Sequence, residues 1–208
     1  LMINEGAINA GIAPKFSDPY SYGQGTNWQD EVFNNNAPMM NHQVSVSGAS
    51  EKVNYLFSLG FYTQDGIVGG NFDRSNYERL TLRSNTQYTL FDESKERNWL
   101  NSLKVTSNLS YARIKSTNFD DNSTWGTPLG SALALSPILN VYDETEEAIK
   151  AQFDKYGTTA EYTPVYDPRN GKLFSIPGEF GEMSNPIAKL SLPGDKHWSH
   201  KFVANFSA

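Results

Sequence analysis

Between Val53 and Tyr62 the chain alternates with a period of two. Val53, Tyr55, Phe57, Leu59 and Phe61 are apolar or aromatic, and Asn54, Leu56, Ser58, Gly60 and Tyr62 form a mixed set between them. Successive side chains of a strand point to opposite faces, so this spacing predicts a strand with one greasy face. From Tyr77 to Leu90 the same rule puts Leu80, Leu82, Tyr88 and Leu90 on one face, with Ser84 and Thr86 among them. Arg79, Thr81, Arg83, Asn85, Gln87 and Thr89 fall on the other. A third strand is predicted over Trp99–Ala112, with Trp99, Leu103, Val105, Leu109 and Tyr111 on one side. His42–Ser47 reads as a short strand carrying Val44 and Val46. Trp198–Ser207 reads as another, with Trp198, Phe202 and Phe206 opposite Ser199, Lys201 and Asn205. No helical stripe fits any of these runs, because apolar residues recur at two rather than at three and four.

Two architectures accept this pattern. In a soluble sandwich the greasy face is core and the polar face is wet. In a membrane barrel the greasy face meets lipid and the polar face lines the lumen. The central runs exceed the usual sandwich strand of about 5–6 residues and suit a tilted membrane strand of about 9–11. The connections alternate between short or modest (Gly48–Glu51, Phe91–Asn98) and very long (after Lys115), and aromatics Tyr77, Phe91, Trp99, Tyr111 and Trp198 sit near strand ends. Both features are those of outer-membrane barrels.

The segment from Ser116 to Lys196 breaks the alternation. Asp143–Tyr156 predicts one helix, capped by Asp143, with Ala148, Ile149, Phe153 and Tyr156 as its stripe and Gly157 as its stop. Leu129–Leu139 is apolar and reads as extended or partly helical, and Asp167-Pro168-Arg169-Asn170-Gly171 is a turn signal. Near the start, Leu1–Ala13 reads as a short helix or a loop. Trp28–Phe33 reads as a helical turn led by Thr26 or Asn27. Glycine in Asp65–Gly70 predicts a turn using positive φ.

Composition narrows the chemistry. The 208 residues carry a net charge of −6 with no basic cluster, which argues against a nucleic-acid partner. There is no cysteine, so disulfides and thiolate metal sites are excluded. His197 and His200 lie three apart on a predicted strand, hence on opposite faces, and chelate poorly; His42 has no evident partner. Asp120, Asp121 and Asn122 do not follow the alternate spacing of an EF-hand loop and read as a solvated loop. Asp143 and Glu147 read as a solvated helix face. No nucleophile motif is present, so no enzyme, cofactor or metal is expected.

An ordered set of pieces then takes on a family likeness. It runs through Trp28-Gln29-Asp30-Glu31-Val32-Phe33, Ala37-Pro38, Asn41-His42 and Val44-Ser45-Val46-Ser47-Gly48. It continues through Tyr55–Phe61, Gln64–Val68, Arg79–Asn85, Pro137–Tyr142 and Asn185-Pro186-Ile187-Ala188. From about Thr26 onward the chain resembles the early barrel of the SusC/RagA family of TonB-dependent outer-membrane transporters. Members of that family are longer, with a signal peptide, an N-terminal plug that reaches TonB, and a barrel of the 22-stranded plugged kind. The resemblance therefore implies a fragment of a barrel without its plug. The expected fold is all-β, an antiparallel transmembrane β-barrel segment with long extracellular loops and one short loop helix. The expected divisions are residues 1–42, a first extracellular loop region leading to the barrel; 43–115, barrel strands with short periplasmic turns; 116–196, a long extracellular loop insertion; and 197–208, a further strand. The resemblance further implies import of glycans or peptides across the outer membrane of a Gram-negative bacterium. Its implied partners are TonB, a SusD-like surface lipoprotein and membrane lipid. On that basis Trp125, Tyr142, Tyr162, Tyr166 and Phe174 are candidate substrate or partner contacts, and Arg79 and Arg83 are expected to face the lumen. A secreted β-sandwich binding module and a small porin or adhesin barrel are the competing readings of the same residues.

Overall fold

The computed structural model describes residues 2–72, 75–92, 99–119, 126–143, 145–156, 164–177 and 183–208, and only the backbone of Gln152, Phe153, Lys155 and Tyr156. In chain order these form α1 (Met2–Asn9), α2 (Trp28–Val32), β1 (Met39–Ala49), β2 (Val53–Asp65), β3 (Asn76–Phe91), β4 (Leu103–Asn118), α3 (Pro128–Ala134), β5 (Tyr142–Asp143), α4 (Glu146–Tyr156), β6 (Leu173–Phe174), α5 (Pro186–Ser191) and β7 (Asp195–Ser207). None of the described helices is long and apolar enough to cross a membrane. The chain divides into two units, residues Leu1–Glu31 with Thr124–Lys189, and residues Val32–Ser123 with Leu190–Ala208.

The second unit is a five-stranded antiparallel sheet in the order β1-β2-β3-β4-β7. Directly opposed residues share a face, so the register shows how each face is built. One row reads Val44, Leu59, Leu82, Tyr111, Phe202 across the five strands, and the next reads Val46, Phe57, Ser84, Leu109, Ala204. On the opposite face the rows are Ser45, Ser58, Arg83, Ser110, Val203 and Ser47, Leu56, Asn85, Asn108, Asn205. The alternation read from each strand thus adds up to one apolar and one largely polar side. Val44, Phe57, Leu59, Leu82 and Phe202 all remain exposed. In water this many contiguous apolar side chains would be a large uncovered patch.

The strands are longer than their apolar cores. β1 runs 11 residues and β3 and β4 run 16 each, because backbone pairing continues through polar residues such as Asn41, Glu78 and Lys115. Trp99 departs from expectation. It precedes β4 and is 78% exposed, so it shares parity with that strand without belonging to it. The β1–β2 connection is tight: Ser50 N–H donates to the Val53 carbonyl at 2.8 Å, and Val53 N–H donates to Ser50 Oγ at 3.2 Å. Between β2 and β3, Gly70 (φ 56°) takes the left-handed conformation expected of a glycine there, and Asn71 (φ 59°), which was not expected to, does so as well. Residues 93–98 of the β3–β4 connection lie outside the described residues.

The first unit holds a small core of its own, with Trp28, Ala132, Leu135, Val141, Ile149, Leu173, Phe174 and Ile187 buried. Among the described residues, three helices occupy the segment expected to hold one. The two additional ones are short and start on proline. Thr127 caps α3 by accepting from Gly130 N–H at 3.2 Å, with Pro128 in the first position. Asn185 does the same for α5, its Oδ1 accepting from Ile187 and Ala188 N–H at 3.1 and 3.2 Å ahead of Pro186. Helices of six or seven residues show too few turns for a periodic stripe, which is why the apolar pattern hid them. In α4 the cap is Thr145, whose Oγ1 accepts from Ala148 N–H at 3.1 Å, while Asp143 belongs to β5. Ile149 is fully buried but Ala148 is exposed; the Phe153 and Tyr156 side chains and Gly157 lie outside the described residues.

The N-terminal segment is fastened to this core at Pro137. Thr26 N–H donates to the Pro137 carbonyl at 2.7 Å, and Trp28 Nε1 donates to the Ser136 carbonyl at 3.1 Å. Gly25 (φ +73°) makes the approach possible, since a Cβ there would stand 2.5 Å from the Pro137 oxygen. Gly25→Ala is expected to combine left-handed strain of about 1–2 kcal/mol with that clash and to release the strap. Limited proteolysis of the full-length protein should then cut near residues 20–27 several times faster than in the wild type.

Candidate binding site in the loop unit

The site is built on a two-stranded ribbon that Tyr166 extends by a single bridge. β5 pairs with β6 through Tyr142↔Phe174 and Asp143↔Leu173, and Leu173 also bridges to Tyr166 on its other side. The turn signal at residues 167–171 connects Tyr166 to β6. Asp167 closes it: its N–H donates to the Lys172 carbonyl at 2.8 Å, its carbonyl accepts from Gly171 N–H at 2.8 Å, and its Oδ1 accepts from Arg169 N–H at 2.8 Å.

Asp167 is fully buried and its carboxylate is saturated. Arg169 donates from Nε at 3.0 Å to Oδ1 and from Nη2 at 2.7 Å to Oδ2, and Tyr142 Oη donates to Oδ2 at 2.7 Å. The hydrogen bonds from Arg169, aided by that of Tyr142, hold the Asp167 carboxyl at about 2, below its ordinary 3.8. Burial, and then the hydrogen bond to Asp167, push the Tyr142 phenol up, so it remains a donor. The same carboxylate raises the Arg169 guanidinium further. Sequence reading treated residues 167–171 as a turn and missed this cluster. The available signal was an Asp two residues before an Arg in a turn, where a side-chain carboxylate can cap both backbone and guanidinium.

A cavity of about 610 Å³ opens beside the ribbon, lined by Tyr142, Asp143, Glu146, Tyr166, Gly171, Lys172 and Leu173. Of the five aromatic candidates, three gather here and differ in what they can do. Phe174 is 3% exposed and stacks on Tyr142 at 5.3 Å between centroids, so it is core. Tyr142 is engaged by Phe174, by Lys172 Nζ at 5.5 Å from its ring, by Asn170 Nδ2 at 3.3 Å and by Asp167. Tyr166 is 44% exposed at the rim and presents an accessible ring. Trp125 and Tyr162 lie outside the described residues, as do Asp120, Asp121 and Asn122. The cavity therefore offers carboxylates, an ammonium and phenols around one open aromatic ring, a set suited to a ligand rich in hydroxyl or amide groups.

Arg79 and Arg83 lie in the sheet unit, on its polar face. Both are exposed and line a concavity of about 650 Å³ together with Asn41, Gln43, Tyr62 and Lys201. Arg79 stands over the Tyr62 ring at 5.5 Å, and Tyr62 Oη donates to Gln64 at 2.6 Å. His197 and His200 fall on opposite faces of β7, paired with Ser116 and Arg113, and among the described residues no group of three or more His, Cys, Asp or Glu could hold a metal.

No family model matches the chain. Among curated proteins it is similar to the TonB-dependent receptor SusC of Bacteroides thetaiotaomicron, 30% identical over 186 residues, covering 86% of this chain and 16% of that protein. It is also similar to two proteins of Formosa agariphila. TonB-dependent receptor P26 is 32% identical over 204 residues, 98% of this chain and 16% of its own length. TonB-dependent receptor P3 is 30% identical over 130 residues, 62% and 12% respectively. The chain thus spans about a sixth of the length of the first two relatives. A likeness that runs through both units, joined to a long-stranded antiparallel sheet with one apolar and one polar face, identifies the chain as belonging to the SusC-like TonB-dependent receptors.

Proposed function

We propose that this chain supplies five neighbouring barrel strands and an extracellular loop unit to a transporter of the Gram-negative outer membrane. In this reading the transporter imports oligosaccharides with energy delivered through TonB, beneath a SusD-like surface lipoprotein. The observation that carries the reading is the sheet with an apolar face exposed along its length. On β3 the apolar side runs from Leu80 to Leu90, with Ser84 and Thr86 within it. Ten residues at about 3.4 Å each, tilted by about 45°, rise about 24 Å, which matches the apolar band of about 25 Å on outer-membrane barrels. The outer edges of β1 and β7 would pair with further strands on closure, which removes the liability of an open edge. Arg79 and Arg83 then face the lumen, and residues 50–52 form a periplasmic turn.

In this arrangement the loop cavity is a first contact for substrate outside the membrane, with Tyr166 stacking on a sugar ring and Asp143, Glu146 and Lys172 addressing hydroxyls. Tyr166→Ala in the full-length receptor is expected to weaken oligosaccharide binding about two- to tenfold, the equivalent of the roughly 0.5–1.5 kcal/mol of an aromatic stack. Calorimetric titration of the purified receptor with oligosaccharides recovered from its host's growth substrate checks this. A full-length protein that fractionates as a detergent-independent soluble monomer would sink the transporter reading in favour of a binding module.

A further inference from the structure

We propose that the loop-side border of the sheet's apolar face is a seat for the phosphate of an outer-leaflet glycolipid. Just beyond the Leu82–Tyr111–Phe202 row, the next row on the same face brings Arg113 opposite His200, and the one after brings Lys115 opposite Trp198. Lys196 follows on β7, opposite Thr117. The cations are organised around the indole: Arg113 lies 5.2 Å and Lys115 5.5 Å from the Trp198 ring. His200 is held by a 2.8 Å hydrogen bond between its Nδ1 and Tyr111 Oη. Arg113 Nε is shut off from solvent and has no hydrogen-bond partner among the described residues.

Charge is segregated along this border. Among the described residues on this face, the carboxylates Asp65 and Glu78 are on β2 and β3, whereas Arg113, Lys115 and Lys196 are on β4 and β7; Asp195, beside Lys196, has the opposite parity. Glu78 is opposite Lys115 in register, yet Lys115 turns to Trp198. A soluble anion would be met by cations in a wet cleft. Here they stand where an apolar band gives way to an aromatic collar, so the complementary ligand carries phosphate at the head of apolar chains. Arg113 and Lys115 supply one planar and one point donor to it, and Trp198 packs against the acyl chain below.

The inference rests on the membrane reading above, and the experiment separates the two. The full-length receptor is reconstituted in nanodiscs of phosphatidylcholine doped with lipid A, and bound lipids are counted by native mass spectrometry. The wild type is expected to retain one more phosphorylated lipid A than R113Q/K115Q. The difference should vanish with dephosphorylated lipid A, and the charge-preserving variant R113K/K115R should retain the lipid. Equal retention by wild type and R113Q/K115Q overturns the proposal, as does equal retention of dephosphorylated lipid or loss in R113K/K115R. A wild type that stays out of the bilayer overturns the membrane reading itself.

Discussion

Leu109→Arg is expected to destabilise the folded receptor by about 2–4 kcal/mol, whereas Asn108→Arg, one residue away, changes stability by no more than about 0.5 kcal/mol. The two positions differ in parity. Leu109 stands in the Val46, Phe57, Ser84, Ala204 row near mid-height of the apolar face, and Asn108 stands between Asn85 and Asn205 on the polar face. A guanidinium at mid-height must be dragged through hydrocarbon, while on the other side it meets water and other polar groups. Urea titration of receptor folded into vesicles, read by the electrophoretic shift of the folded barrel, measures both. A third variant distinguishes lipid from a protein layer. Leu109→Ala should cost less than about 2 kcal/mol, because acyl chains fill the gap that a packed protein core leaves empty at a cost of about 2–5 kcal/mol. Equal costs for arginine on both faces would contradict a lipid-facing side.

Asp167→Ala is expected to loosen the loop unit by about 2–3 kcal/mol. The loss removes the acceptor of the Tyr142 hydroxyl, which keeps the Asn170 donor, and the bidentate partner of Arg169, and half-buried groups that lose their strongest partner carry part of their desolvation penalty. The figure stays below that of a wholly buried pair because the Arg169 side chain is 40% exposed and recovers part of its hydration. Hydrogen exchange of amides 164–177 in the full-length receptor should quicken, while amides of β2 and β3 stay protected. The wild type carries the matching pH signature. The Asp167 carboxyl is held at about 2 in the folded state against 3.8 when free, so its stabilisation is complete above about pH 4 and is lost as pH falls toward 2. The protection of residues 164–177 should fall through that window in the wild type and stay flat in Asp167→Ala.

The sheet was legible in the sequence because strand parity is intrinsic to the backbone: Leu80, Leu82, Phe57 and Leu59 declare their face with no knowledge of a partner. Strand ends were less so. Pairing at Asn41 and Lys115 is a backbone matter on which side-chain polarity is silent, and Trp99 had the right parity but lies outside β4, its ring set edge-on to Phe91 at 6.3 Å. The loop unit was harder. Its short helices rest on the caps Thr127 and Asn185, and its buried Asp167 draws on a tyrosine 25 residues upstream. Aromatic content pointed to Tyr142, Tyr166 and Phe174, and only geometry separates the exposed ring from the packed ones.

Because β4 and β7 are direct neighbours in the sheet, residues 119–194 depart and return a strand's width apart. Such an insertion could be traded between receptors as a cassette without disturbing the strands that carry it. The Pro137 strap adds a condition. Residues 1–31 fold with that insertion, so diversification has to exchange two distant gene segments together. A chimera that swaps one alone would part Trp28 and Thr26 from the carbonyls that receive them.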